Sequence, residues 1–165
     1  MSQAFGTNDR ISESIDKYGD MIRRICFLNL KNTADVEDIF QEVFLKFFLH
    51  YDSFENEEHA KAWLCKVTFN QCKDLRKSFW RNKVSSIESL EIPYENPEQS
   101  NLISAVLALP TEWKQIIYLH FYEGMTIPEI ANLMNNNTST VYSNLRRAKE
   151  RLKLKLKEDY LNGIL

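Results

Sequence analysis

The chain has 165 residues, a formal net charge of -2 and a hydrophobic fraction of 44%. This is enough for one ordinary domain or two small ones and excludes a disordered chain. Few glycines and prolines favour long helices over many short strands. The three cysteines form no CxxC pair and lie near no histidine, which argues against a disulfide framework or a zinc site. We expect buried thiols, no metal, no cofactor, no membrane insertion and a cytoplasmic protein.

Three helices are predicted in the first half. Apolar residues recur at helical spacing from Ile11 to Ile25, and a second helix begins near Thr33 or Asp35. A third helix runs from about Ala60 to Phe79, after the stretch HYDSFENEEH breaks the pattern. Together they predict a compact helical domain. The predicted inward residues are Ile11, Ile15, Tyr18, Ile22 and Ile25, then Val36, Ile39, Phe40, Val43 and Phe47, then Leu64, Val67, Gln71 and Leu75 with Trp63 beside them.

Between Val84 and Gln99 the chain contains two prolines and four glutamates but no base. This composition predicts a flexible acidic linker, extended around its prolines. The predicted organisation is therefore all-α, with two small helical domains, residues 8–83 and 101–160, joined by a linker over 84–100.

The second domain is predicted to contain a helix-turn-helix. A short helix over 102–108 is followed by one over about 111–123, which Gly124 ends. Thr126 and Glu129 fit a capping box at the start of a short helix that buries Ile127, Ile130, Ala131 and Met134. The run Asn135–Asn137 suits the corner, since Asn tolerates a left-handed backbone.

The last helix, capped by Thr138 or Ser139, is predicted to bury Val141, Leu145, Ala148 and Leu152. Residues 139–157 carry seven bases and one acid, and 73–83 carry five bases and one acid. Charge alone is better explained by solvated helix faces. Short polar side chains followed by arginines are typical of DNA readers, which modestly favours DNA binding. The candidate DNA-contacting residues are Thr140, Tyr142, Ser143, Asn144, Arg146, Arg147, Lys149 and Arg151.

The chain has a family resemblance that rests on three blocks in order. They are DVEDIFQEVFLKFF (35–48), AWLCKVTFNQCKDLRK (62–77) and residues 108–152. From about residue 14 to 156 it resembles bacterial group IV, or extracytoplasmic function (ECF), sigma factors of the sigma-70 family. The resemblance implies region 2 in the first domain and the region 4 helix-turn-helix in the second. It also implies an alternative sigma factor that binds core RNA polymerase, recognises -10 and -35 promoter elements, promotes DNA melting and catalyses nothing itself.

The resemblance assigns a role to each of three helices, and the last helix, with the candidate DNA-contacting residues named above, would read the -35 element. Residues off the apolar line of DVEDIFQEVF would grip the largest polymerase subunit, although acids at a helix start also suit the helix dipole. The third helix and the loop before it would hold the non-template strand and a flipped base, with Arg76, Phe79, Trp80 and Arg81 as further basic and aromatic surface. Core packing explains Phe79 and Trp80 equally well. The implied polymerase-binding residues are Asp38, Gln41, Glu42 and Leu45, and the implied -10 DNA-binding residues are Phe54, Lys66, Asn70, Lys73, Asp74 and Lys77.

The sequence departs from the family pattern at Asn136, Ser139, Tyr142 and Asn144, and its SFENEE loop is unusually acidic. The -35 preference and the identity of the flipped base therefore do not transfer. An anti-sigma factor is a common partner in the family, and these residues do not identify one. Two other functions stay open: a helix-turn-helix regulator that is no polymerase subunit, and a helical adaptor or enzyme. The sequence shows no paired catalytic carboxylates, and its three histidines are scattered, so nothing in it supports an enzyme.

Overall fold

The computed structural model describes residues 2–82 and 97–164, with side chains over 9–78 and 101–158. It divides into two compact units, Met1–Leu90 and Glu91–Leu165. The described residues are helical and contain no strand, which confirms the all-α prediction. Most of the predicted linker, residues 84–96, lies outside the described residues. The seven α-helices of this part of the chain are α1 (Ser2–Asn29), α2 (Thr33–Leu49), α3 (Glu57–Asn82), α4 (Pro97–Leu107), α5 (Thr111–Ile117), α6 (Ile127–Leu133) and α7 (Thr138–Ile164).

In the first unit, α1, α2 and α3 pack against one another. Helix α2 begins where predicted, and the Asn32 side chain caps it by accepting a hydrogen bond from the Ala34 N–H (2.7 Å). All five residues predicted to face inward from α2 are buried, and Phe44 joins them. On α1 the prediction holds for Tyr18, Ile22 and Ile25.

Helix α3 buries a different side from the one predicted. Leu64 is buried, but Val67, Gln71 and Leu75 are only partly so. A row of small side chains faces α1 instead, with the Sγ atoms of Cys72 and Cys26 4.0 Å apart and Cys65 Sγ 3.7 Å from Met21 Sδ. The Cys72 thiol and burial together raise the pKa of Cys26. All three cysteines are buried, as predicted. The residues that α3 buries are Ala60, Leu64, Cys65, Thr68, Phe69 and Cys72.

In the second unit, α7 packs against α4, α5 and α6. Helix α4 begins at Pro97, five residues before the predicted start, because proline at the first helical position loses no hydrogen bond. Helix α5 continues through a π-helical turn, Tyr118–Tyr122, so the helical segment ends where predicted. Gly124 follows with φ +69°, and the Met125 N–H donates to the Leu119 carbonyl (3.0 Å).

The helix-turn-helix corner is built as its asparagines predict. The Thr126 hydroxyl accepts a hydrogen bond from the Glu129 N–H (3.3 Å) at the start of α6. Asn135 then adopts φ +52°, the left-handed conformation expected of the corner. Helix α7 begins at Thr138, so the capping position belongs to Asn137, whose carbonyl accepts from the Val141 N–H (3.0 Å), and not to Thr138 or Ser139. No helix in the described residues is long and apolar enough to cross a membrane.

Candidate polymerase and DNA interfaces

The outer side of α2 carries the four residues implied to bind polymerase. Asp38, Gln41, Glu42 and Leu45 are all exposed, whereas the residues of the opposite face, Val36, Ile39, Phe40 and Val43, are buried. The four fall at spacings of three and four residues, which places them on one face of the helix. Leu45 is 62% exposed, which leaves a large apolar side chain in solvent beside two carboxylates.

Leu49 extends this face by one turn and was not among the sequence candidates. It lies four residues after Leu45 and is 76% exposed, the highest exposure among the large apolar side chains whose burial the structure describes. The i to i+4 spacing from Leu45 was visible in the sequence. We call Asp38, Gln41, Glu42, Leu45 and Leu49 the α2 outer face.

Charged side chains lie close to one another along α2. Glu42 pairs with Lys46 (Oε1 to Nζ 3.4 Å), one turn further along. Partial burial and the neighbouring Asp38 carboxylate raise the pKa of Asp35. An acid at this position is tolerated because the first turn of a helix favours negative charge.

The implied -10 face of α3 is a single solvent-exposed stripe. Its residues recur every three or four positions, away from the small buried side chains, and each of them is exposed. Three lysines and one asparagine along about three turns give a surface suited to phosphates and base edges, with one acid among them. Arg76 lies outside the stripe and is partly buried, and the side chains of residues 79–81 are outside those described. The stripe consists of Lys66, Asn70, Lys73, Asp74 and Lys77.

Phe54 is separated from this stripe and packed against the core. Its ring stacks on Phe47 (centroids 5.1 Å apart, 19° between planes) and meets Trp63 edge-on at 5.3 Å. The loop is shorter than predicted because α3 begins at Glu57, where the Asn56 side chain accepts a hydrogen bond from the His59 N–H (2.8 Å). Phe54 stays half-buried, so part of its ring remains available to a base.

The exposed side of α7 gathers the implied -35 residues. Val141, Leu145 and Ala148 are buried against the rest of the unit and leave two flanks in solvent. Ser143 and Asn144 are partly buried, and the other candidates are exposed, with Tyr142 at 59%. One flank carries Thr140, Asn144, Arg147 and Arg151, and the other carries Tyr142, Arg146 and Lys149.

Two of these cations also contact aromatic rings, which the sequence did not indicate. The Arg151 guanidinium carbon lies 4.8 Å from the Trp113 ring centroid, and Lys149 Nζ lies 5.8 Å from that of Phe121. Both distances are within the range of cation–π attraction. Among the described residues, no group of histidine, cysteine or acidic side chains is arranged to hold a metal ion.

Comparison with known proteins agrees with this arrangement. Residues 15–82 match the family model of Sigma-70 region 2, and residues 99–152 match that of Sigma-70, region 4. The RNA polymerase sigma factor SigV of Bacillus subtilis is 31% identical over 82% of this chain and 85% of its own length. The ECF RNA polymerase sigma factor SigW of the same organism is 27% identical over 93% of this chain and 92% of its own length.

Solved structures show the same fold. The sigma factor RpoE from Bartonella quintana, in complex with the anti-sigma factor NepR, matches with a TM-score of 0.73 at 21% identity, over 88% of this chain and 96% of its own. CnrH, in complex with the cytosolic domain of CnrY, matches with a TM-score of 0.60 at 21% identity, over 96% and 95% of the two chains. With both halves matched in order, this chain belongs to the sigma-70 family and is an alternative sigma factor of the ECF group, which directs transcription initiation with RNA polymerase.

Proposed function

We propose that each of three exposed helix faces in this sigma factor binds a different partner. The α2 outer face binds core RNA polymerase, the Lys66–Lys77 stripe of α3 holds the non-template strand of the -10 element, and the exposed side of α7 reads the -35 element. Region 2 then occupies residues 8–83 and region 4 residues 101–160, on either side of a linker over 84–100. The chain itself catalyses nothing and acts in the cytoplasm, where polymerase and promoter DNA are found.

The observation that carries this proposal is the exposed leucine pair on α2. A regulator that never joins polymerase gains nothing from Leu45 and Leu49 in solvent beside Asp38 and Glu42. An apolar centre flanked by charges is the usual composition of a protein-binding surface. It distinguishes a polymerase subunit from a helix-turn-helix regulator, for which the second unit alone suffices.

An anti-sigma factor is a further partner in this proposal. RpoE, which shares the fold, was solved in complex with the anti-sigma factor NepR, and CnrH, which also shares it, with the cytosolic domain of CnrY. A protein of this kind would silence the chain by covering surfaces that polymerase needs. The α2 outer face is the first surface to examine for such competition.

The direct test mixes the purified chain with bacterial core polymerase and a promoter-library DNA and measures run-off transcripts. We expect transcripts from the wild-type chain and a loss of at least about tenfold for the double variant Gln41→Ala/Glu42→Ala, since it removes two polar partners from the interface. Glu13→Ala, an exposed acid on α1, is the matched control and should transcribe normally. Transcription unchanged by the double variant would remove the α2 outer face from the polymerase interface.

A further inference from the structure

The two aromatic contacts of α7 place a ring behind one cation on each flank of the helix. Arg151 lies over Trp113 of α5, and Lys149 lies over Phe121 of the π-helical turn that follows α5. Both rings therefore come from one helical segment that packs against α7. Phe121 is 60% exposed, so most of its ring stays open to solvent and to the Lys149 ammonium.

The indole of Trp113 is what fixes the Arg151 guanidinium. Arg151 is exposed, and within the described side chains the structure gives it neither a hydrogen bond nor an ion pair. Arg151 also borders an open cavity of about 200 Å³ between α4 and α7, lined by Ser104, Ala105 and Leu109 among others. Packing on the cavity side does not confine the side chain. A guanidinium held over a ring by cation–π attraction keeps N–H groups available for a phosphate.

The positions of the two cations suit a helix that lies in a groove. On one flank Arg147 lies seven residues after Thr140, and Arg151 lies four residues after Arg147. On the other flank Lys149 lies seven residues after Tyr142. A recognition helix in the major groove has a phosphate backbone on each side. One cation on each flank can therefore reach each strand.

We propose that Trp113 and Phe121 are positioning residues that hold Arg151 and Lys149 ready for phosphates on the two strands. This inference rests on the proposed role of α7 in DNA binding and assigns these rings a part in it. The tryptophan contact carries the larger share because it is shorter and involves the more electron-rich ring.

The test is a double-mutant cycle on the full chain, measured as dissociation constants for a fluorescently labelled mixed-sequence DNA duplex at low salt. We expect Trp113→Ala to weaken binding about fivefold, which is about 1 kcal/mol. In the Arg151→Ala background the same substitution should change binding less than about twofold, because the ring no longer has a cation to position. Trp113→Tyr should restore binding to within about twofold of wild type.

Equal losses from Trp113→Ala in both backgrounds would show that the indole serves the fold alone and would overturn the inference. The tyrosine variant answers the same question if the alanine variant melts early, since it keeps a ring face and most of the packing. A second cycle with Phe121→Ala and Lys149→Ala should give a smaller coupling energy than the cycle with Trp113→Ala and Arg151→Ala. Arg147→Ala separates the two proposals: if it weakens binding while the cycle shows no coupling, only the positioning role fails. If neither Arg147→Ala nor Arg151→Ala weakens binding, α7 is not the DNA-binding helix.

Discussion

The exposed faces of α2 and α7 are built in opposite ways on similar helices. Each helix buries an aliphatic or aromatic stripe and leaves the other side to solvent. On α2 the solvent side combines carboxylates with Leu45 and Leu49, whereas on α7 short polar groups, arginines and lysines predominate around the exposed Tyr142 and Leu154. Apolar side chains contribute to binding when a partner removes them from water, which a protein surface does and a phosphate backbone does not. The difference in charge agrees with the proposed protein partner for α2 and the proposed polyanion for α7.

The largest effect should come from placing a charge in the apolar part of α2. Leu45→Glu removes a desolvated contact and buries an unpaired carboxylate in the interface, so we expect the affinity for core polymerase to fall at least about thirtyfold. DNA binding by the isolated chain should not weaken by more than the added negative charge explains. Fluorescence titration of labelled core polymerase measures the polymerase affinity, with Glu13→Ala as the control at an exposed position. An unaltered polymerase affinity would place the interface elsewhere.

A smaller effect is expected from removing one cation of α7. Arg147→Ala should weaken transcription from promoters with a -35 element and reduce the slope of log K against log salt by about one phosphate equivalent. Polymerase affinity should stay the same, which is the reverse of the Leu45→Glu result. The matched control is Lys157→Ala, an exposed base about 15 Å further along the helix. A slope that Arg147→Ala does not change would mean that this flank does not touch phosphate.

The smallest effect concerns the corner that sets the direction of α7. Asn135 has φ +52°, so Asn135→Ala should lower the free energy of unfolding of the second unit by about 1 kcal/mol. Asn135→Gly should leave it unchanged or raise it slightly, because glycine adopts this conformation without a steric cost. Urea unfolding followed by circular dichroism measures both. Equal destabilisation by alanine and glycine would mean that the asparagine side chain, and not the backbone conformation, stabilises the corner.

Most of the helices and the inward side of α2 and α7 could be read from the sequence. Large aliphatic and aromatic residues repeat there at helical spacing with polar residues between them, so only one orientation buries them. The corner was equally readable, since Asn and Gly are the residues that tolerate positive φ, and Asn135 and Gly124 both adopt it. Helix starts were less certain: α3 and α4 begin three and five residues earlier than predicted. Asn56 and Pro97 mark those starts, but each was read as part of a loop.

The orientation of α3 was beyond the reach of periodicity. Its sequence offers two possible inward lines, one with Val67, Gln71 and Leu75 and one with Cys65, Thr68 and Cys72. The first is larger, but the second is buried, because small side chains let α3 approach Met21 and Cys26 of α1 closely. Packing density, and not hydrophobicity alone, decides between such alternatives. The exposed -10 stripe was nevertheless predicted, since both lines leave the lysines in solvent.

The sequence by itself determined that this chain is all-α, that it contains a helix-turn-helix and that basic and acidic surfaces lie on different helices, because these follow from local spacing and turn chemistry. Only the tertiary structure decided which residues accompany the functional ones. It exposed Leu49 beside Leu45, packed Phe54 onto Phe47 and placed Trp113 and Phe121 behind Arg151 and Lys149. The rings lie 38 and 28 residues from the cations they contact. Contacts across such distances depend on how the helices pack, which no local pattern specifies.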